Sequence, residues 1–335
     1  MTISYDITWD LDPSAPTFRS RTSARFRGAR PHADVEAVEV TRASHNGRAV
    51  PWDGERLALG AAEDNVLEVD AVFAYEPERG FRRVTADGDT YLYALHYPQW
   101  SKRSFCSLAQ ERGAFTVTVN APGRVLVSST EAPIVPYALA VAAGPWAEIG
   151  EHVHAVRTRA AEHARGQAVA DLVKRSVACF EHLLGVPFPY RGCEVVFVPD
   201  IPILAFSSPG LIMFDDGALN ALSTREPRYA TTVVSHEVAH QWAGNLVDAE
   251  PWLVEGLATY LSRLATEELL PGSRPWSEPD AAPLPDRPYA AHLARIAAVE
   301  EAIGRTALLD GLGRYFRRFA HTTASWAHLR SCWRR

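Results

Sequence analysis

The stretch Val233-Val234-Ser235-His236-Glu237-Val238-Ala239-His240-Gln241-Trp242-Ala243-Gly244-Asn245-Leu246 constrains this chain more than any other. An apolar run leads into it and Gly244-Asn245 is a stop signal after it, so the pattern predicts an α-helix. Residues four apart on a helix share a face, which lets His236 and His240 offer their imidazoles to one metal ion. Glu237 lies one step round and can reach a water held by that ion without being a ligand. A tetrahedral zinc held by two histidines and one further protein group keeps a fourth position for water and brings the pKa of that water towards neutrality. Glu237 is then the candidate general base. The competing reading is a buried amphipathic helix with two incidental histidines.

Two histidines do not complete a site. The best third ligand is Glu255, in Trp252-Leu253-Val254-Glu255-Gly256, near the start of the next helix and projecting from an otherwise apolar turn. A carboxylate is costly to place in such surroundings, and a metal ion compensates it. The same position also suits a glutamate favoured only by the helix dipole. Asp248 and Glu250 are rivals, as ligands or as carboxylates that hold a ligand histidine.

The chain has 335 residues, 47% hydrophobic and 22% charged, a globular composition long enough for two domains. A net charge of -6 gives no reason to expect nucleic acid as a partner. Cys106, Cys179, Cys193 and Cys332 are scattered without a CxxC pair, which points to reduced thiols and a cytoplasmic setting. No export signal is visible at the amino terminus, and no apolar run is long enough to span or anchor in a membrane.

Up to about residue 146 the signal is strand after strand. In residues 17–29, Phe18, Ala24 and Phe26 fall at even spacing with arginine and serine between them, the period of a half-buried strand. Similar runs occur at 35–40, 56–59, 66–75, 91–97, 114–119, 125–129 and 137–143, punctuated by Asn46-Gly47, Asp53-Gly54, Asp87-Gly88 and Pro122-Gly123. Residues 1–146 therefore read as an all-β domain of antiparallel sheets. Residues 147–335 change character, with a helix at 167–184, strands at 194–198 and 211–214, and a turn Ser207-Ser208-Pro209-Gly210. Then come the His236 helix, a helix at 252–269, a proline-rich loop to Pro288, and helices at 289–303, 306–319 and 325–333. The whole is an α+β arrangement in which a metal site fits between rigid helices.

The segment from His236 to Val247, with Trp252-Leu253-Val254-Glu255-Gly256, resembles the zinc-binding signature of the M1 metallopeptidases, the gluzincin family that includes aminopeptidase N and leukotriene A4 hydrolase. Weaker similarity runs from Tyr5-Asp6-Ile7 through Phe115-Thr116-Val117-Thr118-Val119 and Ala142-Ala143-Gly144-Pro145 to the last helices. The resemblance implies an N-terminal saddle of β-sheets followed by a thermolysin-like catalytic domain. It also implies one Zn2+ per chain, with His236, His240 and Glu255 as ligands and Glu237 as general base. Family members use a tyrosine to stabilise the oxyanion, and Tyr289 is its counterpart here, although the Glu-Lys-Gly that usually follows is absent.

Three departures separate this chain from the family pattern. Fourteen residues lie between His240 and Glu255, four fewer than usual. Where the family reads a substrate amine through Gly-Ala-Met-Glu-Asn, placing Gly210-Leu211-Ile212 on the following Gly-Leu-Ile puts Leu204-Ala205-Phe206-Ser207-Ser208. Ser207 then stands in place of the amine-binding glutamate, so Ser207 with Gly210 either contacts a neutral substrate group or is only part of a turn. Family enzymes also continue into a large helical domain, so the expectation is an open cleft, covered if at all by a second copy. The resulting expectation is a zinc hydrolase that cleaves an amide in a short peptide or peptide-like small molecule. Its rivals are a tailoring enzyme for a bacterial metabolite, opening an amide, ester or epoxide, and a non-catalytic protein that keeps the zinc to bind a peptide or partner.

Overall fold

The structure, a computed structural model, describes residues 3–97, 99–108, 110–276 and 289–333. The loop expected up to Pro288 therefore lies, from residue 277, outside the described residues. Two compact units are present. The first comprises Met1–Ala147, Val156–Thr158 and Val198–Pro202, and the second Glu148–Ala155, Arg159–Phe197 and Ile203–Arg335.

The first unit is built from β1 (Ile3–Asp10), β2 (Thr17–Arg27), β3 (His32–Asp34), β4 (Glu39–His45), β5 (Arg48–Ala49), β6 (Arg56–Ala58), β7 (Asp64–Ala74), β8 (Gly80–Ala86), β9 (Asp89–Leu95), β10 (Gly113–Asn120), β11 (Arg124–Val127) and β12 (Val141–Gly144). One sheet has the order β10-β1-β2-β7-β4-β5, another β11-β12-β9-β8, and β3 pairs with β6. The alternation in β2 explains its placement: Phe18, Ser20, Thr22, Ala24 and Phe26 are buried, while Arg19, Arg21, Arg25 and Arg27 face outward. Asn46-Gly47 joins β4 to β5 and Asp87-Gly88 joins β8 to β9, each pair having both φ angles positive as a two-residue hairpin turn requires.

Three expectations need correction in this unit. The larger sheet is mixed, because β1 pairs parallel to β10 from Ile3 opposite Gly113 to Asp10 opposite Asn120. A parallel neighbour needs a long return of the chain, which local periodicity does not report. Residues 35–40 are mostly not a strand: Val35 N–H bonds Glu55 O and Glu36 N–H bonds Lys102 O, so these groups are satisfied outside the ladders. The run at 137–143 begins as a short 3-10 turn, Pro136–Ala138, and becomes strand only at Val141. Inside the unit His96 packs among Trp9, Phe81 and Phe105. Burial pushes its pKa down to about 4.

The second unit carries β13 (Ala147–Gly150), β14 (Val153–Ala155), α1 (His163–Leu184), β15 (Glu194–Val198), β16 (Ala205–Ser208), β17 (Leu211–Asp215), α2 (Asp216–Thr224), α3 (Pro227–Ala239), β18 (Val247–Asp248), α4 (Pro251–Leu269), α5 (Tyr289–Ile303), α6 (Arg305–Arg318), β19 (Thr322–Thr323) and α7 (Trp326–Ser331). Its five-stranded sheet has the order β13-β14-β15-β17-β16, which leaves β16 at an edge. The turn expected over residues 207–210 is narrower. Ser207 and Ser208 pair with Ile212 and Leu211, so only Pro209 and Gly210 reverse the chain. Helix α2 was not anticipated; Asp215 caps it, its carboxylate accepting from Gly217 N–H at 3.1 Å. Among the described residues no helix is long and apolar enough to cross a membrane.

Candidate metal centre

Helix α3 buries Thr231, Val234, Ser235 and Val238, the i, i+3, i+4, i+7 spacing of a core-facing stripe. That orientation turns His236, Glu237 and His240 onto its half-buried side. The helix ends at Ala239 and does not run on to Gly244 as its stop signal suggested. His240 at the C-cap keeps right-handed helical angles, φ -60° and ψ -19°, so the one-turn relation to His236 survives.

Helix α4 starts at Pro251, where a missing N–H is harmless, and every residue from Gly256 to Thr266 is buried. It lies against α3, with the Thr232 and Thr266 hydroxyls 3.0 Å apart. The shortened link between the two helices folds back on itself: Asn245 N–H bonds His240 O at 3.0 Å, Leu246 N–H bonds Gln241 O at 3.1 Å, and β18 pairs with β19. The link therefore brings Glu255 to the histidines.

Three donor atoms converge. His240 Nε2 is 3.2 Å from His236 Nε2, and Glu255 Oε2 is 3.5 Å and 3.8 Å from the His236 and His240 Nε2 atoms. Ligands at about 2.0–2.2 Å from a tetrahedral zinc stand roughly 3.3–3.6 Å from one another. The observed separations bracket that range, and nitrogen, nitrogen and carboxylate oxygen form a donor set suited to zinc. Among the described residues no other group of three His, Cys, Asp or Glu has this convergence. His240 Nδ1 lies 3.1 Å from Ala243 O, so the hydrogen sits on Nδ1 and Nε2 presents its lone pair to the centre.

The rivals of Glu255 are engaged elsewhere. Asp248 accepts from the Thr323 hydroxyl at 3.2 Å, and Glu250 accepts Trp326 N–H at 3.1 Å at the start of α7. The Tyr289 ring lies edge-on to His236 with centroids 5.9 Å apart. Gly256 helps to set this approach: a Cβ there would stand 3.0 Å from His292 O, so the bare glycine lets α5 rest on α4 one turn beyond Tyr289.

The Ser207 hydroxyl donates to the backbone carbonyl of Glu237 at 2.9 Å and accepts from Gln241 Nε2 at 2.8 Å. Gly210 N–H donates to Gln241 Oε1 at 2.8 Å. Sequence reasoning missed the fully buried Gln241. Its signal was a polar side chain directly between the second histidine and Trp242.

Residues 169–283, which contain the three converging side chains, match the profile of the peptidase family M1 domain. Aminopeptidase N of Streptomyces lividans is 27% identical over 324 residues, covering 81% of this chain and 37% of that protein. Residues 169–283 thus carry a peptidase family M1 domain match. Aminopeptidase M1 of Arabidopsis thaliana is 30% identical over 168 residues, covering 46% of this chain and 19% of that protein. The chain thus spans little more than a third of the length of the first relative and less of the second. The structure of native yeast LTA4 hydrolase superposes with a TM-score of 0.81 over 98% of this chain and 64% of that one, at 15% identity. That likeness is one of fold, an α+β chain with a β-rich N-terminal part followed by a thermolysin-like part.

Proposed function

We propose that this M1 protein is a zinc-dependent hydrolase, with one ion per chain, that cleaves an amide bond in a short peptide or peptide-like small molecule. The observation that carries the reading is the convergence of His236, His240 and Glu255 beside Glu237. Zinc held there supplies a Lewis acid that makes water a nucleophile near neutral pH and polarises the scissile carbonyl. Glu237 takes the proton of the attacking water and passes it to the leaving nitrogen. The Tyr289 hydroxyl donates to the carbonyl oxygen as that oxygen gains charge. Ala243 O holds the His240 ring in its ligating tautomer. A cytoplasmic setting belongs to the same proposal and is supported by four free thiols.

The aminopeptidase relatives support amide cleavage, whereas the serine at position 207 argues against a required free amine. A neutral hydroxyl replaces an ammonium-binding carboxylate poorly. The test is a pair of peptide amides, one with a free amine and one N-acylated, offered to zinc-loaded wild type and to Glu237→Gln. Wild type should turn over both within about tenfold of each other, and Glu237→Gln should lose roughly 10²–10⁴ in rate with its zinc retained. Equal rates in the two proteins would remove Glu237 from the mechanism.

A further inference from the structure

Helix α3 ends in a turn whose backbone does not close on itself. Gln241 N–H bonds Val238 O at 3.0 Å, and Trp242 N–H bonds Ala239 O at 3.1 Å, so the hydrogen bonds tighten to i, i+3 just after the ligand histidine. In a continued helix the Glu237 carbonyl would receive Gln241 N–H. Here it receives the Ser207 hydroxyl from strand β16 at 2.9 Å.

Gln241 completes the attachment. Its amide donates to Ser207 Oγ at 2.8 Å and to Ser208 O at 3.1 Å, while its oxygen accepts Gly210 N–H at 2.8 Å. Both donors and the acceptor of a side chain with no exposed surface are therefore committed to one hairpin. Gly210, with φ 66°, supplies the left-handed residue that turns its N–H towards Gln241.

We propose that Ser207 and Gln241 are positioning residues that lock the last turn of α3, which carries Glu237 and His240, to the edge strand β16. Their effect on rate rests on the hydrolase reading above; their effect on the backbone does not. The single hydrogen of Ser207 is spent on the Glu237 carbonyl, so the residue that replaces the amine reader holds the general base in place instead of recognising substrate.

The test uses the full chain with Ser207→Ala, Gln241→Ala, Ser207→Thr, which keeps the hydroxyl, and Ser207→Cys, which keeps the shape with a weaker donor. In metal-free protein, amide hydrogen exchange over residues 236–243 should quicken by about tenfold or more in Ser207→Ala and Gln241→Ala, since a buried polar group then loses its partner. Ser207→Cys should quicken less, and Ser207→Thr should stay within about threefold of wild type. With zinc bound, the two alanine variants should lose about tenfold to a hundredfold in kcat with KM within roughly twofold, the signature of a displaced catalytic group. Unchanged exchange in both alanine variants would overturn the proposal. So would a Ser207→Ala effect confined to KM and seen only with free-amine substrates, which would make Ser207 a substrate contact. If wild type hydrolyses nothing, the exchange result still decides on the lock, while the hydrolase reading fails separately. If the alanine variants do not fold, the Cys and Thr variants give the same exchange contrast.

Discussion

In the β-rich unit His96 directs Nδ1 to Leu139 O and Nε2 to the Ser104 hydroxyl, each at 2.7 Å. His45 sends Nε2 to Asn65 Oδ1 at 2.7 Å and accepts Gly60 N–H on Nδ1 at 3.2 Å. In the second unit His236 and His240 instead aim their Nε2 atoms at a shared point with Glu255. Neutral partners saturate the first pair. The second pair leaves a gap that suits an ion.

A carboxylate alone does not make the difference. Glu194 meets His152 Nδ1 at 2.8 Å and His154 Nε2 at 2.6 Å, on opposite oxygens. Burial would raise its pKa, but the hydrogen bonds from His154 and His152 outweigh that and hold its carboxyl below the usual range. Those contacts are closed hydrogen bonds. At the candidate centre the carboxylate stands 3.5 and 3.8 Å from the imidazoles, which is ligand-to-ligand spacing.

The contrast predicts that the neighbourhood of His236 governs rate, whereas that of His96 governs stability. Tyr289→Phe should cost roughly 10²–10³ in kcat, about 3–4 kcal/mol, with an unchanged melting temperature. A stability loss of that size without a rate effect would break the contrast. His96 sets the next largest effect. Its folded pKa of about 4 lies below the ordinary value of 6.5, so the unfolded chain binds a proton that the folded chain refuses between those limits. Its contribution is complete above pH 6.5 and is lost as pH falls towards 4, at most about 3 kcal/mol. Urea titrations should show that slope in wild type, and His96→Gln should flatten it while leaving zinc content alone. A smaller effect is expected from chelation, which should lower the melting temperature of wild type by the mass-action contribution of zinc and leave that of His240→Ala where it was. An equal shift in both proteins would place the responsible metal elsewhere.

The residues that could be read from the sequence are those whose chemistry repeats with a local period. Arginines alternating with Phe18, Ala24 and Phe26 fixed β2, and the four-residue step from His236 to His240 located the candidate centre. Glu255 was legible because a carboxylate interrupts an apolar helix start. The parallel pairing of β1 with β10 joins residues some 110 positions apart in the chain, and no local pattern encodes it. Gln241 and the bonding role of Ser207, a residue singled out only as a substrate contact or part of a turn, were hidden for a related reason: their partners belong to different elements, and a hydroxyl bonded to a carbonyl leaves no periodic trace.

The central claim is that His236, His240 and Glu255 hold one zinc while Glu237 serves the reaction without holding it. Elemental analysis of purified wild type, Glu255→Ala and Glu237→Gln addresses it directly. The account predicts about one zinc per chain in wild type and in Glu237→Gln, and little in Glu255→Ala. Stoichiometric zinc that survives Glu255→Ala, or a wild type that takes up none, would contradict it.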